Sequence, residues 1–268
     1  MGELRLDMHM GHPNIVFIFS DQQRYSAAGC NGNAVVQTPH TDALAAAGTV
    51  LDNAFSSCPI CAPYRGQLLT GKYSHANGVI DNEYALFPGQ DTLPTVLGRA
   101  GYRTGYVGKW HLGYGPYSEA DKHGFDYLAA NNCDHRHDKV TYHDNESDPI
   151  EVEQWSPTVE TDLALAFMEQ TAADDAPFCL VMSWGPPHWS GSVYDRYPDQ
   201  YDLYDPTTVD LPPNVPQQME AFARAELAHY YGNITGLDYE LGRIRAFLDE
   251  RGLTENTIFC YTSDHGDH

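Results

Sequence analysis

Along the chain, amphipathic, helix-like stretches alternate with short runs that are apolar throughout, and this alternation predicts the architecture before any single residue does. The first apolar run, 14–20 (NIVFIFS), is continuous and rich in β-branched and aromatic residues, the pattern of a strand buried on both faces. It ends at Asp21. A helix is predicted over 38–48 (TPHTDALAAAG), closed by a glycine. The unit then recurs as helix 92–101 before strand 102–109 (YRTGYVGK), and as helix 161–172 before strand 178–184 (FCLVMSW). A long amphipathic segment from about Pro216 to Arg251, with a predicted break at YGNITG, leads to strand 257–263 (TIFCYTS). Repeated helix-then-strand units predict an α/β fold, a mostly parallel sheet sandwiched by helices.

Ligands of such sheets bind beyond the carboxyl ends of the strands. Those ends carry Asp21 and Gln22, then Lys109 and His111, then His188, and finally Asp264 with His265. The candidate site is therefore assembled from distant parts of the chain. Two other stretches read as irregular. Residues 190–216, rich in Tyr, Asp and Pro, predict a long surface excursion near the substrate, and 131–139 (NNCDHRHDK) predicts a solvated loop.

Composition narrows the partners. The 268 residues carry 37 acidic against 15 basic side chains, a formal net charge of −22, which argues against nucleic acid and anionic lipid. An anionic substrate would need the few basic residues gathered in one place, or a bound cation. The sequence has no apolar run long enough to span a membrane, and its N-terminus does not read as a signal peptide. Two readings stay open: a cytoplasmic protein, if Met1 is native, or a chain without its leader. The six cysteines, at 30, 58, 61, 133, 179 and 260, are too scattered for a disulfide framework.

Asp21, Gln22, Asp264 and His265 offer hard oxygen ligands and one imidazole, a set suited to calcium or magnesium better than to zinc. Between them in sequence, Cys61 opens a predicted helix (CAPYRGQLLTG), whose N-terminal dipole favours an anion.

The stretch Cys61-Ala62-Pro63-Tyr64-Arg65 resembles the C-x-P-x-R signature of the type I, formylglycine-dependent sulfatases of the alkaline-phosphatase-like superfamily. Cys58 does not fit it, because Ile60 stands where proline is required. Four further blocks in family order extend the likeness: NIVFIFSDQQR with Asp21, GKWHLG with Lys109 and His111, PPH with His188, and TSDHGDH with Asp264 and His265. The resemblance implies a formylglycine made from Cys61 by a dedicated maturation enzyme. It also implies one divalent cation, calcium foremost with magnesium or manganese as alternatives, held by Asp21, Gln22, Cys61, Asp264 and His265. Arg65 would hold the nucleophile. Lys109 and His111 would contact sulfate and nucleophile, with His188 protonating the leaving alcohol. Gln22 replaces a second aspartate common in the family, and Tyr64 stands where small residues are common.

On this likeness residues 1–12 are a tail and 13–268 a sulfatase catalytic domain. It also implies that the chain is roughly the first half of a sulfatase, inactive or barely active alone, and that relatives are often periplasmic or secreted. Hydrolysis of a sulfate ester, that of a sulfated carbohydrate, is the favoured function. A phosphonate or phosphate ester hydrolase with the same nucleophile is the alternative, and a metal- or anion-binding fragment without turnover is the third. The remaining histidines, His135 and His137 among them, are expected in surface or structural roles.

Overall fold

A computed structural model describes residues 12–144, 149–174, 176–188 and 202–267. Its centre is a five-stranded sheet of β1 (Asn14–Asp21), β2 (Arg103–Lys109), β3 (Tyr127–Asn131), β6 (Phe178–Pro187) and β7 (Thr257–Ser263), in the order β3-β2-β6-β1-β7. Every pairing is parallel. The antiparallel pair β4 (Val140–Tyr142) and β5 (Ile150–Val152) lies beside β3. The α-helices are α1 (Pro39–Ala47), α2 (Cys61–Thr70), α3 (Ser74–Asn77), α4 (Leu93–Arg99), α5 (Ser156–Ala172) and α6 (Glu220–Glu250).

The apolar runs are continuous because both faces of the sheet are covered. Val16 and Ile18 of β1, with Leu180 and Met182 of β6, pack under Phe167 and Met168 of α5 and Leu237, Leu241 and Ile244 of α6. Phe19, Cys179, Val181 and Tyr106 face the opposite way, against Ala62 and Leu69 of α2. Successive side chains of a strand point to opposite faces, so one uninterrupted run supplies two cores.

Two expectations need correction. YGNITG does not break the last helix, which runs unbroken from Glu220 to Glu250. Gly232, Asn233, Thr235 and Gly236 are buried there, and the Thr235 hydroxyl is used in tertiary bonds: its Oγ1 bonds Gln37 O at 2.9 Å and lies 2.6 Å from the Tyr204 hydroxyl. Packing of this kind overrides a weak local propensity. The same helix starts another, for Asp238 accepts the backbone N–H groups of His40 and Thr41 at 2.9 and 2.7 Å, a capping role that Thr38 leaves open.

The stretch 131–139 is not simply solvated. Asn131 and His137 are 4% and 5% exposed, because this stretch leaves the end of β3 and folds over the carboxyl edge of the sheet. Of the proposed excursion 190–216, residues 202–216 hold no helix longer than a single short turn, as expected, and the rest lie outside the described residues.

Glu160 ties the lateral strands to α5. It is fully buried, and its Oε1 accepts from Asn131 Nδ2 at 3.3 Å and from the Tyr142 hydroxyl at 2.9 Å, while its Oε2 has no partner. Burial lifts its carboxyl to about 8, an effect the Tyr142 bond only partly offsets. The folded protein thus holds a proton that the unfolded chain releases near the ordinary carboxylate value of 4.5. Stability from this group is complete below that value and is lost as pH rises towards 8, at about 1.4 kcal/mol per pH unit at the steepest. Urea unfolding at pH 5 and pH 8 should show Glu160→Gln gaining on the unsubstituted protein at the higher pH. A stability difference that is the same at both would contradict this account.

Candidate active site at the carboxyl edge of the sheet

The sheet order sets β2, β6, β1 and β7 side by side, so the residues after these four strands converge although they lie far apart in sequence. Asp21 ends β1, Lys109 ends β2, His188 follows β6, and Asp264 with His265 follows β7. Helix α2 brings Cys61, its first residue, over this edge.

Cys61 Sγ lies 3.6 Å from Asp21 Oδ1 and 3.2 Å from His265 Nε2. His265 Nε2 is in turn 3.6 Å from Asp21 Oδ1 and 3.8 Å from Asp264 Oδ1. One donor atom from each of Asp21, Cys61, Asp264 and His265 falls within 4.8 Å of all the others, and three of the four residues are buried. His265 Nδ1 bonds the Gly266 carbonyl at 2.8 Å, so its neutral form keeps the proton on Nδ1 and turns the Nε2 lone pair into the cluster.

Two buried carboxylates side by side need positive charge. Lys109 Nζ reaches Asp21 Oδ2 at 2.5 Å, and Arg65 Nη2 donates to Asp21 Oδ2 at 3.1 Å and to Asp264 Oδ2 at 3.4 Å. Burial works against the charge of Asp21, but Lys109 and Arg65 outweigh it and hold the carboxyl well below the ordinary range. Asp264 is less well compensated, and burial together with the Asp21 charge pushes it up to about 6. Burial also opposes a proton on His265, yet the Cys61 contact and the Asp264 charge lift it to about 9. A divalent cation among these donors would relieve the carboxylate repulsion, and the hard oxygen atoms with one imidazole and one oxidisable sulfur position fit such an ion.

Arg65 differs from its expected role. It holds no bond to the Cys61 sulfur; besides the carboxylates it donates through Nη1 to Lys109 O at 2.6 Å, to the Tyr106 hydroxyl at 3.3 Å and to Ser183 Oγ. The guanidinium lies over the Phe19 ring, 5.0 Å from its centroid. It is a tie between the carboxyl ends of β1, β2, β6 and β7. The approach of β2 to β6 depends on Gly108, where φ is +108° and an added Cβ would lie 2.1 Å from the Ser183 carbonyl oxygen.

Gln22 also sits differently from a ligand. Its φ is +67°, its backbone N–H donates to Asp264 Oδ1 at 3.1 Å, and its side-chain amide donates to Asp267 at 3.2 Å. The structure thus gives it a part in aiming Asp264. The anion-binding amides expected at the start of α2 are partly used as well: Ala62 N–H donates to Asn82 Oδ1 at 3.0 Å, and Pro63 has no N–H. Cys58 takes no part in the cluster among the described residues.

His111 has φ +53° and its backbone N–H bonds Asn132 O at 2.8 Å, while its buried Nδ1 has no partner. Burial, with the charges of Lys109 and Arg65, lowers it to about 3, so it is neutral and able to accept a proton bond. It lines an open hollow with Asn82, Tyr84, Tyr114, Asn132 and Cys133. His188 stacks on His135, the centroids 4.2 Å apart. Cys133 thus lines the hollow and His135 lies against His188, while His137 has a structural role, as expected, bonded to the His188 carbonyl. Their clustering in NNCDHRH was visible, but nothing in the sequence placed that loop over this edge.

Calorimetric titration should find that Asp21→Asn and Asp264→Asn each weaken calcium binding by about a hundredfold or more, since affinity follows the charge and number of oxygen ligands, with His265→Ala weakening it less. Unchanged affinity in either Asn variant would remove the four-donor cluster as the cation site.

The Sulfatase family profile matches residues 13–268. An ulvan-active sulfatase of Formosa agariphila is 40% identical over 265 residues, which cover 95% of this chain and 50% of that protein. An endo-4-O-sulfatase of Bacteroides thetaiotaomicron is 30% identical, over 96% of this chain and 59% of its own length. A solved structure from the glycosaminoglycan metabolism of the same bacterium overlays with a TM-score of 0.86 at 27% identity, over 96% of this chain and 62% of that one. The chain spans about half the length of the first of these relatives. Five blocks of site residues converging on one edge of an alkaline-phosphatase-like sheet, together with a profile match across nearly the whole chain, place this protein in the sulfatase family.

Proposed function

We propose that this chain carries the nucleophile, the cation ligands and the first sulfate-binding groups of a hydrolase for sulfate esters of carbohydrates. One observation bears most of the weight: the sulfur of Cys61, at the head of α2, lies within 3.6 Å of both an aspartate and a histidine of a buried four-donor cluster. A cysteine converted there to formylglycine would set its hydrated aldehyde at the position of that sulfur, where one hydroxyl supplies the nucleophile and the other lets sulfate depart by collapse. The bound cation would supply a Lewis acid that lowers the repulsion between nucleophile and sulfate.

The residues of the chain divide the remaining work. Asp21, Asp264 and His265 hold the cation, with Gln22 fixing Asp264 through its backbone. Lys109, whose burial is outweighed by the Asp21 charge so that it stays protonated, provides positive field for the sulfate oxygens in a chain that is otherwise strongly acidic. His111, neutral and with a free buried nitrogen, accepts the proton when the diol collapses. His188 gives a proton to the leaving alcohol. Arg65 keeps the ends of the strands in register beneath them. A sugar hydroxyl is a poor leaving group, so a positioned acid matters more here than it would for an activated phenol.

The test begins with peptide mass spectrometry across Cys61 in protein produced alongside a formylglycine-generating enzyme, which should show the thiol replaced by an aldehyde. In the full-length protein, hydrolysis of 4-nitrophenyl sulfate should then exceed that of the matching phenyl phosphonate, and Cys61→Ala should abolish it while Cys58→Ala leaves it intact. An unmodified thiol at Cys61, or preference for the phosphonate, would overturn the reading.

A further inference from the structure

His188 follows the last residue of β6, and its main chain is pinned at two points. Its N–H donates to Gly185 O at 3.2 Å, and its carbonyl lies 2.9 Å from His137 Nε2, which donates to it. His137 is itself buried and lies over Gly185, where an added Cβ would come within 3.1 Å of its ring. These contacts fix the backbone but not the two side-chain torsions that aim the imidazole. The ring of His135 bears on them directly. It lies 17° from parallel with the His188 ring, with the centroids 4.2 Å apart.

His135 has its own anchor. Its Nε2 is 3.6 Å from Cys133 Sγ, within hydrogen-bond reach of the sulfur. Cys133 in turn lines the open hollow beside His111. The chain of contacts runs from the wall of the site through a thiol to one imidazole and on to the next.

We propose that His135, held by Cys133, is a positioning residue that aims the imidazole of His188 at the oxygen of the leaving group. The proposal rests on the reading of His188 as the acid for that oxygen. Burial first, and then the charges of Lys109 and His188, lower His135 to about 4, so it is neutral when it stacks. A neutral aromatic face tolerates a cationic ring above it, and attracts it when water is excluded. The stack therefore orients His188 without competing for its proton. A residue in this role should matter in proportion to how much help the leaving group needs.

Two measurements on the intact protein test this. In the first, ring-carbon-labelled histidine spectra should show the His188 ring protons moving downfield in His135→Ala, where the ring current is lost, and returning in His135→Phe, which keeps an aromatic face. Unmoved His188 resonances in His135→Ala overturn the proposal. In the second, turnover of phenyl sulfate should fall about tenfold further than that of 4-nitrophenyl sulfate in His135→Ala, within the range a general acid commands. His135→Phe should recover most of the difference, with the loss in kcat and not in KM. Equal losses on both esters, or no recovery with Phe, would show that His135 merely supports the loop. Absence of turnover of either ester by the matured, unsubstituted protein would count against the proposed function, while the ring spectra would still decide the contact between the two histidines.

Discussion

Everything at the carboxyl edge of the sheet depends on keeping four buried charges in balance. Asp21 and Asp264 are fully buried, and so, to within a few per cent, are Arg65 and Lys109. Charges removed from water are tolerated only when paired and hydrogen-bonded. The pairing here joins four separate elements, since the carboxylates end β1 and follow β7, the ammonium ends β2, and the guanidinium comes from α2. No one of these groups could be buried without the others, so the site and the core of the fold are one object. An imbalance remains, with Asp264 pushed up towards neutrality and His265 drawn towards its cationic form, and a cation held among these donors would relieve it.

A strongly acidic chain sets any anion a problem of local field. The formal charge of −22 would repel a sulfate ester at long range, and salt screens exposed charge beyond about 8 Å at physiological ionic strength. The field at the carboxyl edge of the sheet is different. Lys109 and Arg65 stand in a medium of low dielectric, where each is worth more than any surface charge. The neutral state of His111 and His135 follows first from their burial and then from the Lys109 charge, which makes a further positive charge costly nearby.

The sequence showed the larger part of this. Helix-then-strand alternation located β1, β2 and β7 almost to the residue and β6 up to its last three residues, because strands buried on both faces leave uninterrupted apolar runs. Cys61, Lys109, His111, His188, Asp264 and His265 were legible from their places after those strands and from the family blocks. Other features were hidden for physical reasons. YGNITG looked like a break because glycine and asparagine are weak in isolated helices, whereas α6 is held by its packing. NNCDHRHDK looked solvated because it is polar, and only the position of β3 beside β2 shows that it folds back over the site. Arg65 was expected to hold the nucleophile, but its two terminal nitrogens bond two carboxylates, a carbonyl and two hydroxyls that no local pattern could reveal.

The depth at which Cys61 and Arg65 lie has a further consequence for the order of events in the life of the protein. They are 5% and 1% exposed, and the arginine is bonded on both of its terminal nitrogens. An enzyme that identifies its target by this cysteine and this arginine cannot touch them in the finished structure. If the cysteine is matured as proposed, its conversion must come while the segment is still extended, before the sheet closes around it. On that reading a chain that folds first would seal in an inert thiol, and a race between two rates would decide the outcome.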